Sequence, residues 1–480
     1  MRTNGILMAV SSLPSKTGIG DFNKASRQFI DSLKLAGIKI WQVLPLNPVG
    51  YGSSPYQSEC GFALDPLYIS LEYLKEKKYL TSFKEFSSNS KRVEYDKVRA
   101  YKDEYFLKAY KLQKDTTSTA FKKFLKDNSW CEEYARFHVL FLKNEYLDWN
   151  LWDKKEKYAH YQKFDFTPYE EDILYYEWLQ FIAYSEYELL RKYAKENGVQ
   201  IMGDIPFYVG FNSSDVWANQ DEFLLDEVDA PTHVAGVPPD YFALTGQRWG
   251  NPIYDWEFIK EENFEFWLKR IRGAAKLYDL LRIDHFRAFD TYYKIPVSCP
   301  TAVEGTWEEA PGIEFFETLV KENINIEIVA EDLGEMFPSV FKLRDRFALK
   351  GMNVVEFTFL DENFEISKNQ LIYTGTHDND TLKGWYKSLD SQTKASVDKK
   401  IKDLKLKGKG INEKLIDYAF KSICDIVIIP IQDYLKLDSY YRMNIPGTCA
   451  SPDWEFKLDS LDEFNKLIPY ILKLNKTYKR

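Results

Sequence analysis

The sequence predicts an α/β fold, a (β/α)8 TIM barrel with helical insertions between barrel strands. Three observations lead there. Eight short apolar runs of strand length recur along the 480 residues, and several are followed by helical patterning. The runs are nearly continuous in apolar character, as suits parallel strands covered on both faces. Strand–helix alternation fits a barrel or an open doubly wound sheet. The nucleotide-binding form of the latter lacks its fingerprint, because no GxGxxG follows an early strand.

In chain order, the first run is "GILMAV" (5–10). Phe29, Ile30, Leu33 and Ala36 then repeat at helical spacing, and Gly37 stands where a helix-ending glycine belongs. The second run, "IKIWQVLPL" (38–46), is separated from the third by a long stretch rich in Lys, Glu, Trp and Tyr. Unstructured loops of that length are uncommon in compact domains, so an inserted helical subdomain is expected over about 66–198. The third run, "VQIMGDIPF" (199–207), leads into an irregular lid or insertion segment over about 208–256. A helix over 263–276 precedes "YDLLRID" (278–284), and "IEIVAEDLG" (326–334) follows. "PSVFKLRDRFALK" (338–350) opens with proline and is followed by glycine, as a helix should be. "MNVVEFTF" (352–359), "LIYTGTHD" (371–378) and "DIVIIPIQD" (425–433) complete the eight. The lysine-rich stretches 75–126 and 386–414 read as solvated helix faces. No internal repeat or linker-joined domain stands out, so residues 1–480 are expected to form one barrel.

A net charge of −9 argues against a nucleic-acid binder. Five scattered cysteines without a CxxC pair speak against a disulfide framework or zinc site and for a reducing compartment. The opening residues do not read as a signal peptide, and no run approaches the ~18 apolar residues of a membrane span. A cytoplasmic protein without membrane partners is expected. Aromatic content of 16% suits sugar stacking but also a simple compositional bias.

The ends of the strands carry the chemistry. Residues two apart share a strand face, so Arg282 and Asp284 should point together into the barrel. Asp284 lies at the carboxyl end of its run, where barrel active sites are built. Asp204, Glu331 and Asp378 fall at comparable places. An acid after a strand often caps the next helix, but four such acids beside a buried arginine point to a shared site. Clustered carboxylates titrate apart from one another, so that one stays ionised while its neighbour holds a proton. Paired acids with aromatics and no metal-ligand cluster suggest glycoside chemistry. His285 and His377 read as hydrogen-bonding groups for a sugar, and neither GxSxG nor a P-loop is present.

At these residues the chain resembles the amylomaltases, the 4-α-glucanotransferases (disproportionating enzymes) of glycoside hydrolase family 77, related to the α-amylases. The matching stretches include "SSLPSKTGIGDF", "WQVLPLNPVGYGSSPYQS", "GDIPFYV", "VAGVPPDYFALTGQRWGNPIY", "LRIDHFRAF", "CPTAVEGTW", "AEDLG", "YTGTHDNDT" and "RMNIPGT", in family order. The resemblance implies Asp284 as nucleophile, Glu331 as general acid/base and Asp378 as transition-state stabiliser, with Arg282 holding Asp284 ionised. It implies substrate contacts from Ser54, Tyr56, Asp204, His285, His377 and Asn444, and from a loop bearing Asp240, Gln247 and Trp249. The chain departs from the family pattern at "AVSSLP" (9–14), at "SPDW" (451–454) and at Asp65.

The implied reaction transfers a segment of an α-1,4-glucan to the 4-hydroxyl of another glucan or glucose, through a covalent glucosyl-aspartate and with no cofactor or metal. Its partners would be α-1,4-glucans and maltooligosaccharides; oligomeric state is left open. The competing expectations are an amylase-type α-1,4-glucan hydrolase and a non-catalytic glucan-binding barrel.

Overall fold

The computed structural model describes residues 2–239, 244–361, 364–448 and 451–480. In these residues the chain forms β1 (Thr3–Leu7), β2 (Ile40–Gln42), β3 (Gln200–Ile205), β4 (His233–Val237), β5 (Gln247–Pro252) and β6 (Leu280–Ile283). It continues through β7 (Thr291–Pro296), β8 (Thr306–Glu309), β9 (Glu327–Ala330), β10 (Gly351–Val354), β11 (Gln370–Tyr373) and β12 (Ile426–Pro430). Eight of these make one parallel sheet in the order β10–β11–β12–β1–β2–β3–β6–β9. Val329 bridges to Lys350 in parallel, and Ala330 N donates to Lys350 O at 2.8 Å, which brings β9 beside β10 and closes the ring. Each predicted apolar run supplies one barrel strand.

The four remaining strands form a separate antiparallel sheet, β5–β4–β7–β8. The sequence shows only an irregular segment over part of this region, and the reason is physical. "QRWGNP" and "TWEE" have neither an apolar run nor alternation, and β4 pairs with β7 across more than fifty residues.

Helix Lys24–Ala36 buries Phe29, Ile30, Leu33 and Ala36, and Gly37 ends it at φ 68°. There its N–H donates to Lys34 O at 3.1 Å, the left-handed closure that glycine adopts at no steric cost. Asn475, on helix Ile468–Tyr478, donates to Ala36 O at 3.0 Å and accepts from Asn4 Nδ2, tying this helix to β1. Between β2 and β3 the described chain is mostly helical. Its longest element, Glu170–Glu196, runs about 40 Å at 1.5 Å per residue. Gln180 pairs with both backbone groups of Leu64 at 2.9 Å, so a buried amide finds full partners.

Two expectations need correction. The helix foreseen over 338–350 ends at Arg346, because Ala348 turns to φ 52° and Lys350 is drawn into the barrel-closing bridge. Lys102, within a stretch read as solvated, is fully buried. Its ammonium donates to Leu67 O at 2.6 Å and Ile69 O at 2.9 Å, where the carbonyls around a 3-10 turn replace its water.

Gly203 on β3 faces the ring of Tyr278, and a Cβ there would lie 2.2 Å from ring carbons. G203A should therefore destabilise the fold by about 1–3 kcal/mol through overpacking, seen as a lower urea midpoint. An unchanged midpoint would mean that the ring can retreat.

Candidate active site

Register decides which side chains meet. β3 and β6 pair with Asp204 opposite Arg282, and β6 and β9 pair with Ile283 opposite Ala330. The next residues, Asp284 and Glu331, therefore leave neighbouring parallel strands at one level, on backbones about 4.8 Å apart and on the same face. Their backbones extend the ladder by one step: Asp284 N donates to Ile205 O at 3.0 Å, and Glu331 N to Ile283 O at 3.1 Å.

Arg282 is 3% exposed and Asp204 1%. The guanidinium donates through Nη1 to Asp204 Oδ2 at 2.5 Å and through Nη2 to Asp284 Oδ1 at 2.7 Å. Tyr56 adds its hydroxyl to Asp204 Oδ2 at 2.7 Å. A buried cation without such partners would be costly, so the arginine and its two acids stand or fall together.

The acids titrate apart. Burial raises Asp284; Arg282 pulls it back, Asp204 and Asp378 push it up, and it settles at about 6. Arg282 thus acts in the expected direction without bringing Asp284 down to an ordinary aspartate value. Burial and then the Asp284 charge carry Glu331 further, to about 8. Its Oε2 accepts from His285 N at 2.7 Å and its Oε1 from Leu333 N at 3.1 Å. Asp378 goes the other way. Burial would raise it, but the His377 charge, hydrogen bonds from His377 and Asn444, and Arg282 together hold it below the usual carboxylate range. His377 Nε2 lies 3.2 Å from Asp378 Oδ2 and Asn444 Nδ2 donates to Oδ1 at 2.6 Å, while Arg442 holds the Asp378 carbonyl at 2.5 Å. His377 is raised in turn, since Asp378 outweighs the effect of its burial.

His285 sits at φ 53° and ψ 45°, a left-handed conformation that costs a non-glycine residue about 1–3 kcal/mol. That turn lifts the chain out of β6 and places the His285 N–H on Glu331. The ring meets Trp249 edge-on at 4.8 Å and Tyr208 at 6.2 Å between centroids. Burial, then Arg287, push its pKa to about 3, so it is neutral.

Other candidate residues arrange themselves around this centre. Tyr56 stacks on His377 with centroids 5.1 Å apart, and Trp454 lies 5.6 Å from Tyr56 and 5.7 Å from His377. Gln247 Oε1 accepts from Trp249 Nε1 at 3.0 Å on β5. Ser54 stays within its own turn, accepting from Tyr56 N at 3.3 Å. Asp240 lies outside the described residues. Sequence reasoning missed Trp454, Arg442 and Gln57, whose Nε2 donates to Asn251 at 3.2 Å and links the Tyr56 loop to β5. Arg442 stands two residues before Asn444 in a stretch already singled out, and that was its one available signal. Among the described residues no group of His, Cys, Asp and Glu could hold a metal, and no helix is long and apolar enough to cross a membrane.

Paired acids of unequal proton affinity, flanked by aromatic rings on the carboxyl rim of a barrel, define an enzyme that acts on glycosidic bonds. The comparisons with known proteins narrow this. The 4-alpha-glucanotransferase family pattern matches residues 8–462, and the chain belongs to that family. It is 38% identical to the 4-alpha-glucanotransferase of Clostridium butyricum, over 98% of this chain and all of that one. It is likewise 38% identical to the Thermus thermophilus 4-alpha-glucanotransferase, over 95% of each. The structure of amylomaltase from Streptococcus agalactiae in complex with acarbose superposes with a TM-score of 0.93 at 30% identity, covering both chains fully. An amylomaltase from Corynebacterium glutamicum shares the fold at TM-score 0.79 and 16% identity, covering all of this chain and 75% of that one.

Glu331 binds its proton more tightly folded than unfolded, so its contribution to stability is present at low pH. It is lost as pH rises from the ordinary glutamate range through about 8. E331Q should therefore raise the unfolding free energy at pH 8.5 by roughly 1–3 kcal/mol after screening through the open cleft, seen as a higher urea midpoint, and match wild type near pH 4. Equal midpoints at both pH values would refute the raised affinity.

Proposed function

We propose that the chain cuts and rejoins α-1,4-glucans by a retaining double displacement. Asp284 attacks the anomeric carbon while Glu331 gives its proton to the departing glycosidic oxygen, leaving a glucosyl ester on Asp284. Glu331, now ionised, takes the proton from the 4-hydroxyl of an incoming sugar, whose oxygen displaces Asp284. One observation carries the assignment: Asp284 and Glu331 emerge at one level from adjacent strands, with proton affinities at about 6 and about 8. Carboxyl groups stand roughly 5–5.5 Å apart in retaining enzymes and farther apart in inverting ones, and exit from adjacent strands supports the closer arrangement.

Asp378, held ionised, would stabilise the developing oxocarbenium ion. His377 and Asn444 would keep its carboxylate aimed, and Tyr56 and His285 would line the donor sugar; Asp204, expected as a further contact, is buried behind Tyr56 and Arg282 and would act by holding them. Gln247 and Trp249 would close over the cleft. The helical stretch 66–198 and the segment 208–256 serve in this reading as accessories to one barrel. No cofactor enters the reaction, and the substrates are maltooligosaccharides and longer α-1,4-glucans in the cytoplasm.

Transfer must outrun hydrolysis although water stands near ~55 M against a millimolar acceptor, a handicap of roughly 5–6 kcal/mol. An oriented acceptor subsite can offset this, since effective molarities are large. The β4–β5 hairpin, with Trp249 against His285, supports a cleft that excludes water.

Maltotriose is the test. Glucose and longer maltodextrins at a constant number of reducing ends are expected, and rising reducing ends would make the enzyme a hydrolase. D284N and E331Q should each lower kcat at least about 10³-fold with the fold kept, and normal rates in either would reassign the roles. The kcat/KM profile should rise as Asp284 ionises near pH 6 and fall as Glu331 loses its proton near pH 8. A flat profile between pH 5 and 9 would contradict the division of labour.

A further inference from the structure

Asp378 rides on a turn whose own side chains hold it in shape. Asn379 Oδ1 accepts from Thr376 N at 2.8 Å and from Thr376 Oγ1 at 2.9 Å, so one amide oxygen closes the turn 376–379 that contains His377 and Asp378. Thr376 Oγ1 in turn receives Asp378 N at 3.3 Å. The other end of the amide, Nδ2, donates to Glu356 Oε2 at 3.1 Å. Glu356 follows the carboxyl end of β10, so the contact reaches from one rim position to the next. A Cβ on Gly375 would come within 3.1 Å of Asn379 Cβ and 3.5 Å of Glu356 Oε1, so the packing leaves little room to shift.

We propose that Glu356 and Asn379 are positioning residues. Glu356 fixes the Asn379 amide, and that amide fixes the turn presenting His377 and Asp378 to the sugar. This rests on the retaining-transferase reading above.

Glu356 is an unusual choice for such a post, and its surroundings explain why it works. Its Oε1 is buried with no hydrogen-bond partner among the described residues. Burial first, then the carboxylates of Asp433 and Asp380, raise its pKa well above the ordinary range, against the Asn379 hydrogen bond and Arg442. Its proton is thus bound more tightly than an ordinary glutamate's, and the contact to Asn379 Nδ2 needs only an acceptor oxygen, which a glutamine would also present. The neighbouring carboxylates are already engaged. Asp433 accepts from Thr374 Oγ1 at 2.6 Å and Leu382 N at 2.8 Å, and Asp380 accepts from Ser439 Oγ at 2.7 Å.

The test compares wild type with E356Q, E356M and N379D in steady-state maltotriose transfer. E356Q keeps the acceptor oxygen and should hold kcat within about threefold. E356M keeps the length but not the oxygen, and N379D replaces the donor to Glu356 by a second acid. Both should lose at least about tenfold in kcat while KM moves less than about threefold, the signature of a disturbed transition-state group. Wild-type kcat in E356M, an equal loss in E356Q, or a loss confined to KM would each overturn the proposal. Should E356M fail to fold by circular dichroism, N379D and E356Q decide by the same thresholds. Absence of transfer by the wild-type protein would instead sink the functional reading, so the two failures are distinguishable.

Discussion

The guanidinium of Arg282 is the point on which the site turns. It is closed off from water inside the barrel, and only charged partners make that burial tolerable. Asp204 meets it from the neighbouring strand and Asp284 from its own, at 2.5 and 2.7 Å. The pairing demands a particular register between β3 and β6, since a slip of one residue would turn Arg282 toward the helices. Strand registry, arginine burial and the orientation of Asp284 are therefore one constraint seen three ways.

From that fixed point the remaining charges are graded. Moving round the rim, burial raises both acids; Arg282 pulls Asp284 back directly, while the Asp284 charge pushes Glu331 further up against its backbone N–H groups, so that Glu331 keeps its proton longest. Asp378 is drawn down by His377 beside it, by the Asn444 amide and by Arg282, so its proton affinity falls despite burial. Three acids on a common rim thereby differ in proton affinity, each through burial and the charges and hydrogen bonds that face it. Glu356 extends the pattern, its proton affinity raised by burial and by the carboxylates of Asp433 and Asp380.

Much of this could be read from the residues alone. Strands buried on both faces announce themselves as apolar runs, and although one acid at the end of such a run can be a helix cap, four of them beside an arginine are hard to explain so, which is why Asp204, Arg282, Asp284, Glu331 and Asp378 stood out together. The antiparallel sheet was not, because β5 and β8 owe their conformation to partners distant in sequence rather than to patterning. Lys102 looked like one of many surface lysines, since nothing local shows that the Leu67 and Ile69 carbonyls will face it. The support given to Asp378 by Arg442 and to Asn379 by Glu356 depends on loops meeting across the rim, and no spacing rule encodes that. His285 is the intermediate case: its position beside Asp284 drew notice, but its left-handed backbone appears only once β6 has to end.

The strand order has a consequence for how the molecule comes into being. β1 lies between β2 and β12, so one side of β1 stays bare after its synthesis until Ile426–Pro430 emerges. At about 5–20 residues per second that interval is roughly 20–90 s. Throughout it a nascent sheet carries an open apolar edge, the kind of surface that recruits other chains. Helix Lys24–Ala36 and the helical stretch before β3 are made early and can shelter the faces of the unfinished sheet, but not its edge. Synthesis speed and chaperone capacity thus bear on this barrel more heavily than on folds whose strands pair in the order they are made.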